Sequence, residues 1–348
     1  MNTFHGSNFE IGKQYGRMFN SVIRKNVDIL VKRNCIHPGP LPLNDPDFQK
    51  WVDEQKNIIT ENWPWLLEEM QGIVAGTDLE FNDILFLNLR VWQYDLYSEK
   101  APGACSSMVI NLDDDTVANT GAIDDCPDYY CGPVKIVPEH GFRFITFPIA
   151  GTSWGNRGMN SAGLVIGESS QILPGIERKS NTICADLAMR VILQTCETVA
   201  EVKEFCLQFP FTLNLVCSDK NGEVFCAHQT SSGLYEVSDK SPCVITNHIL
   251  SDELIYKLST LGVKEFRESL TTRLRRGRLL DFASKRHGKC DGKEVRKFIA
   301  NRADGNSSSI CPKHNVSLIY ANSQQESKIL SIANPRGNAH EKWTSYEV

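Results

Sequence analysis

The sequence predicts an α+β protein in which a helical N-terminal part precedes a layered body of strands and helices. Residues 1–95 carry apolar side chains at helical spacing, and the pattern changes at Pro102-Gly103. Beyond that point, strand-like runs are followed by two helical patterns and then by more strand-like runs. This grouping is typical of α+β layers and differs from the regular alternation of a parallel α/β sheet.

The helical part contains four predicted helices separated by capping residues and prolines. Their starts are predicted at Ser7 or Asn8, near Phe48, at Pro64 and at Asn82-Asp83. The segment 38–46 between the first two helices contains four prolines. Because proline cannot continue a helix, this segment is predicted to be a loop.

The body contains strand-like runs and four further helical patterns. Strands are predicted at 105–111, 116–123, 142–147, 163–166, 212–217, 223–228, 233–237, 243–246, 316–321 and 328–332. Helices are predicted at 183–192, 199–205, 265–286 and 295–300.

Composition and charge narrow the class of protein. The chain has 348 residues, of which 41% are hydrophobic and 23% charged, as is ordinary for a globular protein. The formal net charge is −5, so we expect neither a nucleic-acid partner nor an anionic membrane surface as partner. The first ten residues contain no basic n-region and no apolar h-region, so we expect no signal peptide and a cytoplasmic location.

The twelve cysteines contain no C-x-x-C pair, which argues against a zinc ribbon or a dithiol redox site. In a reducing compartment, most of them are expected to be small buried hydrophobic residues. Cys226 with His228, and Cys311 with His314, each offer two metal ligands, but no second pair has matching spacing. We therefore expect no metal site.

Two other motifs have weak functional interpretations. Residues Gly151–Gly155 match G-x-S-x-G, but the following residues lack the helix that a nucleophile elbow requires. The cluster Arg273-Leu-Arg-Arg-Gly-Arg278 is interpreted as a solvated helix face, since the chain is acidic overall.

Cys105 differs from the other cysteines in its position. It lies where the helical part gives way to strands, after the flexible residues Pro102-Gly103-Ala104. Cleavage between Ala104 and Cys105 would give Cys105 a free α-amine. A model α-amine has a pKa of about 7.7–8.0, so near neutral pH it can accept the proton of its own thiol. One residue would then supply both nucleophile and base.

Seven short motifs, taken in their order, resemble one known family. They are Phe9-Glu-Ile-Gly-Lys-Gln-Tyr-Gly16, Trp63-Pro64, Glu68-Glu-Met-Gln-Gly-Ile-Val-Ala-Gly76, Leu87-Asn88, Cys105-Ser106, Gly158-Met-Asn-Ser-Ala-Gly-Leu164 and Thr246-Asn247-His248. Together they resemble the isopenicillin-N acyltransferase-like branch of the N-terminal-nucleophile cysteine hydrolases.

The resemblance implies a four-layer αββα sandwich and a precursor that cuts itself. Residues 1–104 would form a helical α chain, and residues 105–348 a catalytic β chain that stays associated with it. The substrate implied is a small-molecule amide or acyl thioester, and no cofactor is implied.

The resemblance also implies roles for individual residues. Cys105 would be the nucleophile, and Asn247 would donate to the oxyanion. Gly121-Ala-Ile-Asp-Asp125 resembles the family's G-x-N-x-D, which favours Asp125 as the catalytic carboxylate and keeps Asp124 as its rival. The residues implied as substrate contacts are Asn160, His248 and Ser169, the last near the position where the family has an asparagine.

Two alternatives remain open. The chain could be an unprocessed relative that binds a small ligand in the same cleft without catalysis. It could also be a cysteine hydrolase that needs no cleavage and uses a histidine such as His248 as its base.

Overall fold

The structure, a computed structural model, describes most of the chain. The described residues are 1–33, 45–89, 105–124, 127–171, 179, 181–261, 270–301, 310, 315–325, 328–333 and 343–348. Ala104, Asp125, Cys311 and most of the predicted loop 38–46 lie outside these residues.

Two sheets stack against each other. The first has eight strands in the order β1-β4-β5-β6-β7-β8-β9-β10, and the second has six in the order β11-β2-β3-β12-β13-β14. The strands of the first sheet are β1 (Asn2–Gly6), β4 (Val134–Pro138), β5 (Phe144–Thr146), β6 (Gly158–Asn160), β7 (Val165–Ser169), β8 (Leu213–Ser218), β9 (Val224–Thr230) and β10 (Gly233–Ser238). Those of the second are β2 (Ser106–Asn111), β3 (Val117–Asp124), β11 (Cys243–Ile245), β12 (Asn315–Asn322), β13 (Lys328–Ala333) and β14 (Thr344–Glu347).

Helices cover the outer face of each sheet. The described helices are α1 (Asn8–Asn26), α2 (Pro46–Asn62), α3 (Pro64–Thr77), α4 (Phe81–Asn88), α5 (Ala185–Thr195), α6 (Val199–Gln208), α7 (Asp252–Thr260), α8 (Leu270–Arg286) and α9 (Gly292–Ile299). Helices α1 to α6 share one apolar core with the first sheet, and α8 and α9 share another with the second. Two smaller apolar clusters lie between the sheets. The layers therefore run helix, sheet, sheet, helix, which is the predicted αββα order.

Glycines allow α1 and α3 to pack backbone against backbone. A Cβ atom added at Gly12 would lie 2.0 Å from the carbonyl oxygen of Glu69, and one added at Gly72 would lie 2.0 Å from that of Phe9. Gly16 and Gly76 repeat this contact one turn further along. The glycines of the first and third sequence motifs thus serve helix packing, because only a residue without Cβ fits this separation.

The N-terminal part shares its core and its sheet with the rest of the chain. Strand β1 pairs in parallel with β4, so residues 2–6 form the edge of the eight-stranded sheet. Glu69 of α3 forms a buried ion pair with Arg190 of α5, with 2.7 Å between Oε2 and Nη2.

The predicted elements are largely found, with differences where pairing is non-local. Ser7 caps α1 and Pro64 is the first residue of α3, as expected. Helix α4 begins at Phe81, one residue before the predicted cap. Strands β1, β4, β6 and β14 and helix α7 were not predicted. All five are short, with three to nine residues each.

The structure joins Cys226 of β9 to Cys243 of β11 in a disulfide, with Cα atoms 6.6 Å apart. This corrects the expectation that both are free buried thiols. The two strands belong to facing sheets, a proximity that no sequence spacing reveals.

Among the described helices, none has the length and apolar character that crossing a bilayer requires.

Candidate active site

Cys105 lies directly before β2, between the two sheets. Its side chain is 5% exposed and packs in the same apolar cluster as Ile123 of β3 and Met159 of β6. Strand β2 is flanked by β11 and β3, so the cysteine begins an interior strand. A rigid sheet thus fixes the position of the thiol.

Side chains of β2 alternate between two environments, as the period of a strand requires. Ser107 faces the eight-stranded sheet, where its Oγ accepts a hydrogen bond from Nη2 of Arg157 at 2.6 Å. Ser106 faces α8, where its Oγ accepts from Nη1 of Arg275 at 2.7 Å. Cys105 lies two residues before Ser107 and therefore shares its inter-sheet side.

Arg275 connects the residue that precedes β2, Cys105, to the predicted oxyanion residue, Asn247. Its Nη1 donates to the carbonyl oxygen of Cys105 at 2.6 Å, and its Nη2 donates to Oδ1 of Asn247 at 2.9 Å. The side chain is only 2% exposed. The arginine cluster of α8 is therefore not uniformly a solvated face, which corrects the expectation for this residue.

The helical spacing of residues in α8 could have predicted from sequence that Arg275 is buried. Thr272, Arg275 and Leu279 are all buried, and their spacing of three and four residues places them on one side of α8. Arg273 is exposed. The expectation of a solvated face missed this spacing, because it assigned all four arginines of the cluster to the solvent-exposed face on the basis of their charge.

The amide of Asn247 has a defined orientation. Arginine can only donate, so the atom facing Arg275 must be the oxygen Oδ1. Nδ2 then points the other way and donates to the carbonyl oxygen of Ser170 at 3.0 Å. Its second hydrogen has no further partner within the described part of the chain. The backbone N–H of Asn247 donates to Oγ1 of Thr272 at 2.9 Å.

Two buried histidines support the loop that carries Asn247. Nδ1 of His228 lies 2.6 Å from Oδ1 of Asn214, and Nε2 of His228 accepts from the backbone N–H of Leu250 at 2.7 Å. Asn214 in turn donates to the carbonyl oxygen of Thr246 at 2.7 Å. These contacts suit a neutral ring protonated on Nδ1, and burial lowers the pKa of His228 to about 3.

His248 is also neutral near pH 7. Burial and the nearby positive charges of Arg276, Arg273 and Arg275 lower its pKa to about 4. Its Nδ1 lies 3.1 Å from the hydroxyls of Thr246 and Thr272.

Arg157 is the second buried arginine near Cys105. It is 1% exposed, and its Nη2 donates to Ser107 and to the carbonyl oxygens of Glu168 and Ser106. Burial lowers the pKa of its guanidinium, while the nearby Cys105 and Glu168 act in the opposite direction. Neither Arg157 nor Glu168 belongs to a motif that singled it out in the sequence.

The structure gives Asn160 a structural role. Its Nδ2 donates to the carbonyl oxygens of Leu193 and Cys196, and its Oδ1 accepts from the backbone N–H groups of Ala162 and Leu164. All its hydrogen-bonding groups are thereby engaged, so we assign Asn160 to the turn after β6 rather than to substrate binding.

Two further predicted site residues, Ser169 and Asp124, are each the last residue of a strand. Ser169 ends β7 and is buried, and its Oγ has no hydrogen-bond partner among the described residues. Asp124 is the last residue of β3 and pairs through its backbone with Asn315 of β12.

Comparison with solved structures defines the class of fold. A variant of conjugated bile acid hydrolase from Clostridium perfringens superposes with a TM-score of 0.50 at 13% identity, covering 70% of this chain and 92% of that one. The fold is thus that of the N-terminal-nucleophile hydrolases, which confirms the predicted sandwich.

The family follows from the sequence. Residues 116–296, just over half of the chain, match the family model described as acyl-coenzyme A:6-aminopenicillanic acid acyl-transferase. The chain therefore belongs to this family, as its motifs predicted.

Two curated relatives are similar over part of their length. The β-alanyl-dopamine/carcinine hydrolase of Drosophila melanogaster is 28% identical over 112 residues, which are 30% of this chain and 28% of that protein. The 40 kDa form of acyl-coenzyme A:6-aminopenicillanic-acid-acyltransferase from Emericella nidulans is 24% identical over 208 residues, which are 56% of this chain and 52% of that protein. The chain thus spans about half or less of the relatives it matches.

Proposed function

We propose that this protein is a self-processing cysteine amidohydrolase or acyltransferase with Cys105 as its N-terminal nucleophile. The observation that carries the proposal is that Arg275 links the backbone of Cys105 to the amide of Asn247. A thiol and an oriented N–H donor held by one rigid cation are the parts that acyl transfer needs.

Processing would use the thiol of Cys105 on its own peptide bond. Sγ attacks the carbonyl carbon of Ala104, the C–N bond to Cys105 breaks and a thioester forms, while the nitrogen becomes the α-amine of Cys105. Water then hydrolyses the thioester. This leaves a carboxylate on Ala104 and a free thiol on Cys105.

Catalysis would repeat the same chemistry on a substrate amide or thioester. The α-amine of Cys105 takes the thiol proton, and Sγ adds to the substrate carbonyl. Asn247 donates from Nδ2 to the oxyanion that forms. The leaving amine or thiol departs with the proton, and water or an acceptor amine releases the acyl group from Cys105.

We propose Asp125 as the carboxylate that holds the α-amine in place, with Asp124 as its rival. The alternation along β3 supports this choice. Gly121 lies against Arg157 and Ile123 packs with Cys105, whereas Ala122 packs in the core beneath α8 and α9. Odd-numbered positions therefore face the other sheet, and position 125 continues that side if the strand remains extended.

We propose that residues 1–104 remain bound to residues 105–348 after cleavage. Three contacts support this: the pairing of β1 with β4, the buried ion pair of Glu69 with Arg190, and the hydrogen bond from Ser153 to Asn88 at 2.8 Å. Each of the three contacts joins a residue of 1–104 to a residue of 105–348. Breaking them would expose the edge of a sheet and a buried charge.

The proposed substrates are small amides in which an acyl group is joined to an amine. The names of the relatives, a β-alanyl-dopamine/carcinine hydrolase and a 6-aminopenicillanic acid acyltransferase, support this class. His248 is a poor candidate for the general base of an uncleaved enzyme, because burial and the nearby arginines of α8 lower its pKa to about 4 and make its ring a weak base.

A cytoplasmic location stays a proposal, and the Cys226–Cys243 disulfide bears against it, because cytosolic thiols are kept reduced. Alkylation of the protein in cell extracts before and after reduction, followed by peptide mass analysis, decides whether the pair is oxidised.

The activity is tested with a panel of N-acyl amino acids, N-β-alanyl amines, β-lactams and acyl thioesters, each with and without an amine acceptor. We expect release of the amine or thiol by the wild-type protein and none by Cys105→Ala. Product that contains the added acceptor would mark an acyltransferase, and free acid would mark a hydrolase. Ligand binding with no turnover by the wild-type protein would support the non-catalytic alternative.

A further inference from the structure

A buried cation lies between the sheets beside the nucleophile, and the proposed reaction does not use it. Arg157 precedes β6 in the eight-stranded sheet, yet its guanidinium reaches the six-stranded sheet. Nη2 donates to Oγ of Ser107 at 2.6 Å and to the carbonyl oxygen of Ser106 at 3.3 Å. The same nitrogen donates to the carbonyl oxygen of Glu168 at 2.8 Å.

Arg157 has more donors than the fold satisfies. Nε and Nη1 have no hydrogen-bond partner among the described residues, although the side chain is 1% exposed. Buried donors are usually paired, because an unpaired donor loses its hydration without compensation. A purely structural role would favour an apolar side chain here.

Two glycines keep the space for this guanidinium. A Cβ atom added at Gly121 of β3 would lie 2.2 Å from Nη1, and one added at Gly167 of β7 would lie 2.9 Å from it. Both sheets thus lack a side chain at the position where the cation lies. Gly121 and Gly167 thus leave room for the guanidinium of Arg157, where larger apolar side chains could have filled the core.

The charges around Cys105 come from three elements. Arg157 reaches it from the eight-stranded sheet, and its guanidinium interacts electrostatically with both the thiol of Cys105 and the carboxylate of Glu168. Arg275 of α8 contacts the backbone oxygen of Cys105. In the proposed mature enzyme, the α-ammonium of Cys105 and Asp125 or Asp124 would add one charge each.

We propose that Arg157 is a positioning residue that stabilises the thiolate form of Cys105 and fixes the start of β2. The inference rests on the proposed function, in which Sγ of Cys105 is the nucleophile. A cation near a thiol favours the thiolate, which is the reactive species. Glu168 opposes this effect and limits it.

The test is the pH dependence of iodoacetamide alkylation at Cys105 in the mature protein, followed by peptide mass analysis. Peptide mass analysis reads Cys105 separately from the other thiols. Three of these compete little in any case, since burial raises the pKa of Cys131 to about 12 and those of Cys196 and Cys290 to about 11. Arg157→Gln should move the midpoint upward by about one pH unit and slow alkylation at pH 7 by roughly tenfold. Arg157→Lys keeps the charge and should restore most of the rate.

Two further variants separate charge from packing. Glu168→Gln removes the opposing charge and should move the midpoint downward. Arg33→Gln removes an exposed arginine that pairs with Asp28 on a distant surface, and it should leave the midpoint unchanged. A structural role for Arg157 would change unfolding, but Arg157→Gln and Glu168→Gln would then not shift the midpoint in opposite directions.

The outcomes are distinguishable from failure of the proposed function. If wild-type Cys105 is not the first residue of a chain, or is not labelled ahead of the other thiols, both proposals are overturned. If the wild-type protein is processed and labelled, and folded Arg157→Gln keeps the wild-type midpoint, only the inference on Arg157 fails. Should Arg157→Gln not fold, Arg157→Met, which keeps the length of the side chain without its charge, takes its place, and a wild-type midpoint in that variant overturns the inference.

Discussion

At the scale of single residues, Arg275 determines what Asn247 can do. The guanidinium is a rigid donor, so it fixes the amide oxygen toward itself and the amide nitrogen toward the opposite side. Without this contact, the amide could rotate by half a turn and present oxygen to a developing negative charge. Orientation by Arg275 therefore decides whether Asn247 can serve as an oxyanion donor.

Asn247→Ala should lower kcat by about 10²–10³ with a much smaller change in KM. The donor is proposed to bind charge that exists only in the transition state, so ground-state binding should change little. Steady-state kinetics of the processed variant give both constants. Asn57→Ala, at an exposed position of α2, is the matched control and should leave kcat unchanged. A wild-type kcat in processed Asn247→Ala would remove this residue from the mechanism.

The two aspartates at the end of β3 should differ in their effect on activity. We propose that Asp125→Asn causes a large loss of activity. Ile123 of β3 packs on the inter-sheet side with Cys105, and position 125 would share that side if the strand remained extended. Asp124→Asn should retain activity and change the free energy of unfolding by only about 0.5 kcal/mol. Activity assays and denaturant unfolding of both variants make the comparison. The reverse ranking would assign the role to Asp124, and wild-type activity in both would exclude either carboxylate.

At the scale of elements, the packing of α1 on α3 depends on glycine. At Gly72, an added Cβ would meet backbone atoms of α1, namely the oxygen of Phe9 at 2.0 Å and the nitrogen of Lys13 at 2.8 Å. Backbone atoms of a helix cannot move aside singly, so the two helices would have to separate.

Gly72→Ala should therefore lower the free energy of unfolding by about 1–3 kcal/mol, as overpacking does in cores. Gly277→Ala is the matched control, since it lies in α8 where an added Cβ meets no atom within 4 Å. This control should stabilise the protein by up to about 1 kcal/mol, because alanine is the better helix former. Denaturant unfolding measures both. Equal effects of the two substitutions would mean that helix propensity, and not helix separation, governs position 72.

At the scale of the whole molecule, stability should depend on pH through the buried histidines. The pKa of His228 is about 3 in the folded protein, against about 6.5 in an unfolded chain. The folded state thus binds fewer protons than the unfolded state between these values. Its contribution to stability is fully present above about pH 6.5 and is lost as the pH falls toward 3. His248 acts in the same direction.

The free energy of unfolding should fall between pH 6.5 and 5, and His228→Gln should make this fall shallower without removing it, since His248 remains. The measurement is denaturant unfolding in the Cys105→Ala background, in which the chain is expected to stay intact. The exposed His140→Gln should keep the wild-type slope. A slope that His228→Gln does not alter would show that folding does not lower the pKa of this ring.

The layers could be predicted from sequence much better than the contacts between them. Local periods and caps located most helices, and the motifs around Cys105 and Asn247 indicated the fold and the proposed nucleophile. Arg275, Arg157 and the Cys226–Cys243 pair act across layers. The helical period of α8 indicates that Arg275 is buried. What these residues contact depends on which strands and helices face each other, and no local pattern contains that information.

The central claim is that Cys105 cuts the chain and becomes its catalytic N-terminus. Intact mass spectrometry of the purified wild-type protein, with N-terminal sequencing of its fragments, tests this most directly. We predict fragments of about 12 kDa and about 27 kDa, the larger beginning at Cys105, and a single uncut chain of 39.1 kDa for Cys105→Ala. An intact wild-type chain that is nevertheless active, or a Cys105→Ala protein that still yields both fragments, would contradict it.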